Sequence, residues 1–156
     1  MGSVIGVIGG GQLARMMIPP AVALGIELRV LAETNGSSAS LAATAVGDYR
    51  DVATVLSFAA EVDVVTFDHE HVPQGVLQTL VDAGIPVHPG PHALRFAQDK
   101  LQMRARLQEI GMPQPEWAAV SGPDELQGFL GGVPVLAREE LRAEEPRVED
   151  SEAAAS

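Results

Sequence analysis

Three groups of residues have types and spacings that can do chemistry. The first is Gly9-Gly10-Gly11-Gln12, which follows an apolar, β-branched run and precedes a stretch with helical spacing. Glycines let the backbone approach a ligand without Cβ interference and take positive φ. A helix that starts there offers unpaired N–H groups and the positive end of its dipole, a combination that suits an anion, usually phosphate. The plainer reading is a tight strand-to-helix turn. The spacing Gly9-x-Gly11-x-x-Ala14 also fits the dinucleotide fingerprint, with Glu33 placed after the second expected strand where a ribose-binding acid would stand. Thr34-Asn35-Gly36 directly behind it equally makes Glu33 a turn residue.

The second group is Phe67-Asp68-His69-Glu70-His71-Val72-Pro73, at the end of an expected central strand. Open α/β sheets bind ligands at the carboxyl ends of their strands. Strand alternation would put Asp68 and Glu70 on one side and His69 and His71 on the other, so an acid pair faces the glycine turn. A carboxylate there can hold an amine or hydroxyls of a substrate. Zinc chelation by His-x-His is a weaker alternative, since no further ligand cluster supports it. Helix capping and solvent contact is the plainest one. The third group is a single residue, Lys100, the one lysine of the chain. Taken alone it reads as a solvated helix lysine.

These residues need elements to position them. The pattern predicts strands at 3–8, 27–32, 62–68, a short one at 86–88, and others at 116–120 and 133–136. Helices are expected at 12–24, 51–60, 73–83, 93–110 with a break near Gln98, and 123–130. Pro19-Pro20 should kink or split the first helix, and Gly25 should close it. Residues 41–45 read as a short helical turn and 47–49 as a strand end. The alternation implies an α/β fold, a parallel sheet with helices on both faces and four or five strands within residues 1–90.

The 156 residues are 46% hydrophobic, enough for a real core, but only 4% aromatic, so aliphatic side chains must fill it. The absence of cysteine excludes disulfides and thiolate metal sites. A net charge of −11 argues against non-specific nucleic-acid binding. No signal peptide, myristoylation signal or membrane-spanning run is expected, and a cytoplasmic protein is the default. Residues 137–156 are acidic and low in complexity, and read as a disordered tail.

Taken together, VIGGGQLARMM (7–17), VVTFDHEHVP (64–73) and AQDKLQMRARLQEIGMPQPEW (97–117) resemble the amino-terminal half of the 5-(carboxyamino)imidazole ribonucleotide synthase family, within the ATP-grasp superfamily. The likeness covers roughly residues 3–136, in the family's order. It implies a Rossmann-like pre-ATP-grasp domain at 1–97, a truncated start of an ATP-grasp domain at 98–136, and the tail at 137–156. It implies a ligase of purine biosynthesis that uses ATP, with Mg2+, and bicarbonate to carboxylate the amine of 5-aminoimidazole ribonucleotide through carboxyphosphate, commonly as a homodimer. By resemblance, Gly10, Gly11, Gln12 and Leu13 lie at the ribonucleotide phosphate, Glu70 holds the ribonucleotide, and Lys100 contacts ATP.

The resemblance stops short of the rest of the site. Ala137 stands where the family carries a second ATP-binding lysine, and no GGYDG-like loop follows. No catalytic residue is therefore assigned, and this chain alone is expected to be inactive and to bind no ATP productively. A reading-frame change or truncated gene is one hypothesis for residues 138–156; a coding sequence with no GGYDG-like segment in any frame would refute it. The competing readings are an NAD(P)-binding protein using Gly9, Gly11, Ala14 and Glu33, and a non-catalytic dimerising module.

Overall fold

The computed structural model describes residues 2–131. The chain divides into two compact units, Met1–Pro113 and Gln114–Ser156. In the first unit, β1 (Val4–Ile8), β2 (Glu27–Ala32), β3 (Ala43–Val46) and β4 (Val64–Phe67) form one parallel sheet in the order β3-β2-β1-β4. The helices are α1 (Gln12–Ala23), α2 (Val52–Ala59), α3 (Gln74–Asp82), α4 (Pro91–Gln98) and α5 (Lys100–Glu109). The second unit's described part holds α6 (Pro123–Gly131).

Alternation within the strands builds two different faces. Ile8, Leu31 and Val65 point to a thick aliphatic core with Val55, Phe58, Val76, Leu77, Leu80 and Leu94 from α2, α3 and α4. Val7, Val30 and Ala32 point the other way, into a thin layer completed by Ala14 of α1 and Ala39. Alanine on that face lets α1 lie close to the strands. Each large aliphatic side chain buried on the first face contributes roughly 1.5–3 kcal/mol.

α1 runs unbroken through Pro19 and Pro20, contrary to a split. Both prolines are exposed, as are Arg15 and Met16, whose carbonyls lose their helical donors, so water can take those places. The helix ends in a Schellman turn at Gly25 (φ 68°): Gly25 N–H donates to Val22 O at 3.1 Å and Ile26 N–H to Ala21 O at 2.9 Å.

Other expectations are corrected. Residues 43–46 form the edge strand β3, not a helical turn, because pairing with β2 overrides the alanines' helix propensity. The strand ends at Val46, leaving 47–49 in a bend and turn. Residues 86–88 make only a bridge, Val65 to Val87, since Pro86 has no N–H to give. The break expected near Gln98 in the 93–110 helix is present: α4 and α5 are divided where Asp99 leaves the helical region (φ −124°, ψ 104°). Residues 116–120 form no strand. The expected strand at 133–136 and the tail lie outside the described residues.

Candidate functional site

The sheet order reverses beside β1: the chain passes from β1 to β2 on one side, and β4 later joins on the other. The glycine turn leaves β1 at this switch point and the 68–73 segment leaves β4 beside it, which is where open α/β sheets form crevices.

The turn is fastened by acids of the chain itself. Asp68 N–H donates to Ile8 O at 3.1 Å, and the Asp68 carboxylate accepts from Gly11 N–H at 2.6 Å. Glu33 accepts from Gly10 N–H at 3.1 Å. The Asp68 side chain is only 4% exposed, and its Oδ1 has no hydrogen-bond partner. The three glycines make room for this packing. A Cβ on Gly9 (φ 106°) or Gly11 would run into the Asp68 carboxylate, and one on Gly10 would meet Ser37 Oγ at 2.7 Å. Two of the N–H groups expected at a phosphate therefore already bond to carboxylates. No side chain caps the start of α1, so the N–H groups of Gln12 and Leu13 beyond them point onward unclaimed by a cap.

His69 joins this inner set. Its Nδ1 accepts from His71 N–H at 3.2 Å, so the proton sits on Nε2, which donates to Glu33 Oε1 at 3.1 Å. The ring lies 4.8 Å from that of Tyr49. Burial alone would raise the Glu33 pKa, but the bonds from Gly10 N–H, its own N–H and His69 outweigh it and lower the value. Both Glu33 oxygens are thus engaged, unlike an acid waiting for ribose hydroxyls.

Glu70 takes a different course. The strand ends at Phe67, so the expected alternation does not reach the acids; Asp68 goes beneath the glycine turn while Glu70 and His71 line a separate cleft of about 320 Å³ with Ala97, Gln98 and Lys100. Bonding to its own N–H, and then electrostatic attraction toward the His71, Lys100 and His69 side chains, hold the Glu70 carboxyl below its ordinary range despite some desolvation. Lys100 is placed by a cap: Asp99 accepts from Leu101 N–H at 2.9 Å and Gln102 N–H at 3.0 Å, starting α5 with the lysine as its first residue. Asp99, a residue type favoured at helix amino-terminal caps, was the sequence signal for this break.

The structure thus brings Glu70 and Lys100 together and places Gly10, Gly11, Gln12 and Leu13 at the neighbouring switch point. Sequence reasoning missed Asp68 as the glycine turn's anchor, His69 as its brace, and Gln98. Among the described residues no three His, Asp or Glu side chains gather to hold a metal ion. Nor is any described helix long and apolar enough to cross a membrane.

A parallel α/β sheet with a glycine turn at its switch point defines a Rossmann-like class of domain. Residues 2–98 match the family profile of the ribonucleotide synthetase preATP-grasp domain, and the chain belongs to that family. It is 44% identical over 131 residues to the N5-carboxyaminoimidazole ribonucleotide synthase of Mycobacterium tuberculosis, covering 83% of this chain and 30% of that one. The crystal structure of N5-carboxyaminoimidazole ribonucleotide synthetase from Thermotoga maritima superposes with a TM-score of 0.73 at 32% identity, over 83% of this chain and 37% of the other. The Aspergillus clavatus synthase, in complex with ADP and 5-aminoimidazole ribonucleotide, gives 0.66 at 30% identity, over 74% and 31%. The chain therefore spans about a third of the length of these relatives.

Proposed function

We propose that these residues form the ribonucleotide-binding floor of an N5-carboxyaminoimidazole ribonucleotide synthase, an ATP-dependent carbon–nitrogen ligase of de novo purine biosynthesis. The observation that carries this reading is the uncapped amino end of α1 at the switch point, in a chain whose relatives bear that name. In the complete reaction bicarbonate takes the γ-phosphoryl group of ATP and releases ADP. The amine of 5-aminoimidazole ribonucleotide then attacks the carboxyl carbon of carboxyphosphate, or the CO2 it yields, and phosphate departs.

Each residue has a role that its surroundings favour. The N–H groups of Gln12 and Leu13, on a turn that Gly10 and Gly11 let pack against Ser37 and Asp68, suit the ribonucleotide phosphate. Glu70, ionised at neutral pH and lowered in pKa, is a weak base; it suits holding the amine or ribose rather than deprotonating it. Lys100 suits ATP phosphates as a point charge. Residues 1–97 serve as the pre-ATP-grasp domain and 98–136 as the beginning of an ATP-grasp domain, in a cytoplasmic, homodimeric enzyme. The 156 residues alone are expected to turn over no ATP.

Calorimetric titration with 5-aminoimidazole ribonucleotide, ATP–Mg2+ and NAD tests the reading. Ribonucleotide binding without NAD binding supports it. Micromolar NAD binding would overturn it in favour of a dinucleotide site.

A further inference from the structure

We propose that Gln98 is a positioning residue that sets Glu70 against Lys100. The proposal rests on the reading of Glu70 as the ribonucleotide carboxylate and Lys100 as the ATP cation. Gln98 closes α4, two residues before Lys100, and lines the same cleft. Its amide nitrogen donates to two backbone carbonyls, Glu70 O at 2.7 Å and Val72 O at 2.7 Å. Its oxygen accepts from Gln74 Nε2 at 2.7 Å. Two carbonyl acceptors fix which end of the amide is nitrogen, and both its N–H donors and its oxygen are in use.

The bonds grip the loop on either side of His71, the stretch where the strand has ended and no ladder holds the backbone. They join the segment between Phe67 and α3 to α4 by hydrogen bonds, beside the packing of Val72 and Leu94 in the same core cluster. Apart from His69, which belongs to the inner set, the titratable groups facing Glu70 are His71 on its own loop and Lys100 beyond Asp99. The amide therefore ties the carboxylate's loop to the helix end from which the lysine departs. A glutamine suits this task because it is neutral and adds no charge to the cleft.

The test reads the free protein and the ligand separately. Carbon-detected NMR follows the Glu70 carboxyl titration in the wild-type chain, in Gln98→Met, and in Gln74→Leu, which removes only the outer bond. The Asp51 carboxyl, which caps α2 and accepts from Thr54 N–H at 2.9 Å, reports that the fold is intact. The Glu70 midpoint should rise toward the ordinary range in Gln98→Met and stay low in Gln74→Leu, with Asp51 unmoved in both. An unchanged Glu70 midpoint in Gln98→Met would overturn the proposal. So would global unfolding, which would make Gln98 a stability residue. With ligand, Gln98→Met should weaken ribonucleotide binding about tenfold in the wild-type background and leave it unchanged in Glu70→Gln. If Glu70→Gln binds like the wild type, the reading of Glu70 fails instead, whatever the NMR shows.

Discussion

Asp68-His69 and Glu70-His71 are consecutive acid–histidine pairs with opposite fates. The first pair turns inward: Asp68 is buried against Gly11, and His69 braces Glu33. The second pair turns outward to line a cleft with Lys100. The difference lies in what the neighbouring glycines allow. Their missing side chains make a slot that one carboxylate fills, and β4 ends at Phe67, so the chain can turn the next acid elsewhere. One pair holds the binding turn in shape, and the other is free to meet a ligand.

The largest test of this contrast is Gly9→Ala. The added methyl needs a positive φ and the space of the Asp68 carboxylate, so a loss of roughly 2–4 kcal/mol in urea denaturation is expected. A near-neutral result would mean the slot is loose. Asp68→Ala should cost about 1–3 kcal/mol, because Gly11 N–H loses its acceptor. Acid offers a gentler probe. Glu33 titrates lower folded than unfolded, so its contribution is complete above its unfolded pKa and drains away as pH falls through the folded value. Stability measured between roughly pH 5 and 3 should decline less in Glu33→Gln than in the wild type. The smallest stability effect belongs to Glu70→Gln, within about 0.5 kcal/mol of wild type, yet it should weaken ribonucleotide binding at least about tenfold. Equal stability losses at Asp68 and Glu70 would erase the contrast.

Much of this was legible in the sequence. The β-branched runs located β1 and β4, alternation located β2, and the glycines located the turn and the end of α1. β3 was missed because Ala43-Thr44-Ala45-Val46 carries little strand signal without its partner. The contrast between the two acids was missed for a related reason. Strand alternation was extended past Phe67, and no local pattern shows where pairing stops. Gln98 was invisible because its role depends on carbonyls 26 and 28 positions away.

The sheet order also has a consequence for synthesis. β1 is made before its neighbours, yet it lies between β2 and β4, and Ile5 must wait for Val64 to pair. Such non-local pairing slows folding. Until β4 arrives, Gly11 N–H lacks the Asp68 carboxylate, and the glycine turn is held by Glu33 and by the backbone bonds from Gly9 N–H to Leu31 O and from Ala39 N–H to Gly10 O. A nascent chain therefore passes through a stage in which its most glycine-rich turn is half-tied, and the strand that brings Asp68 completes the turn last.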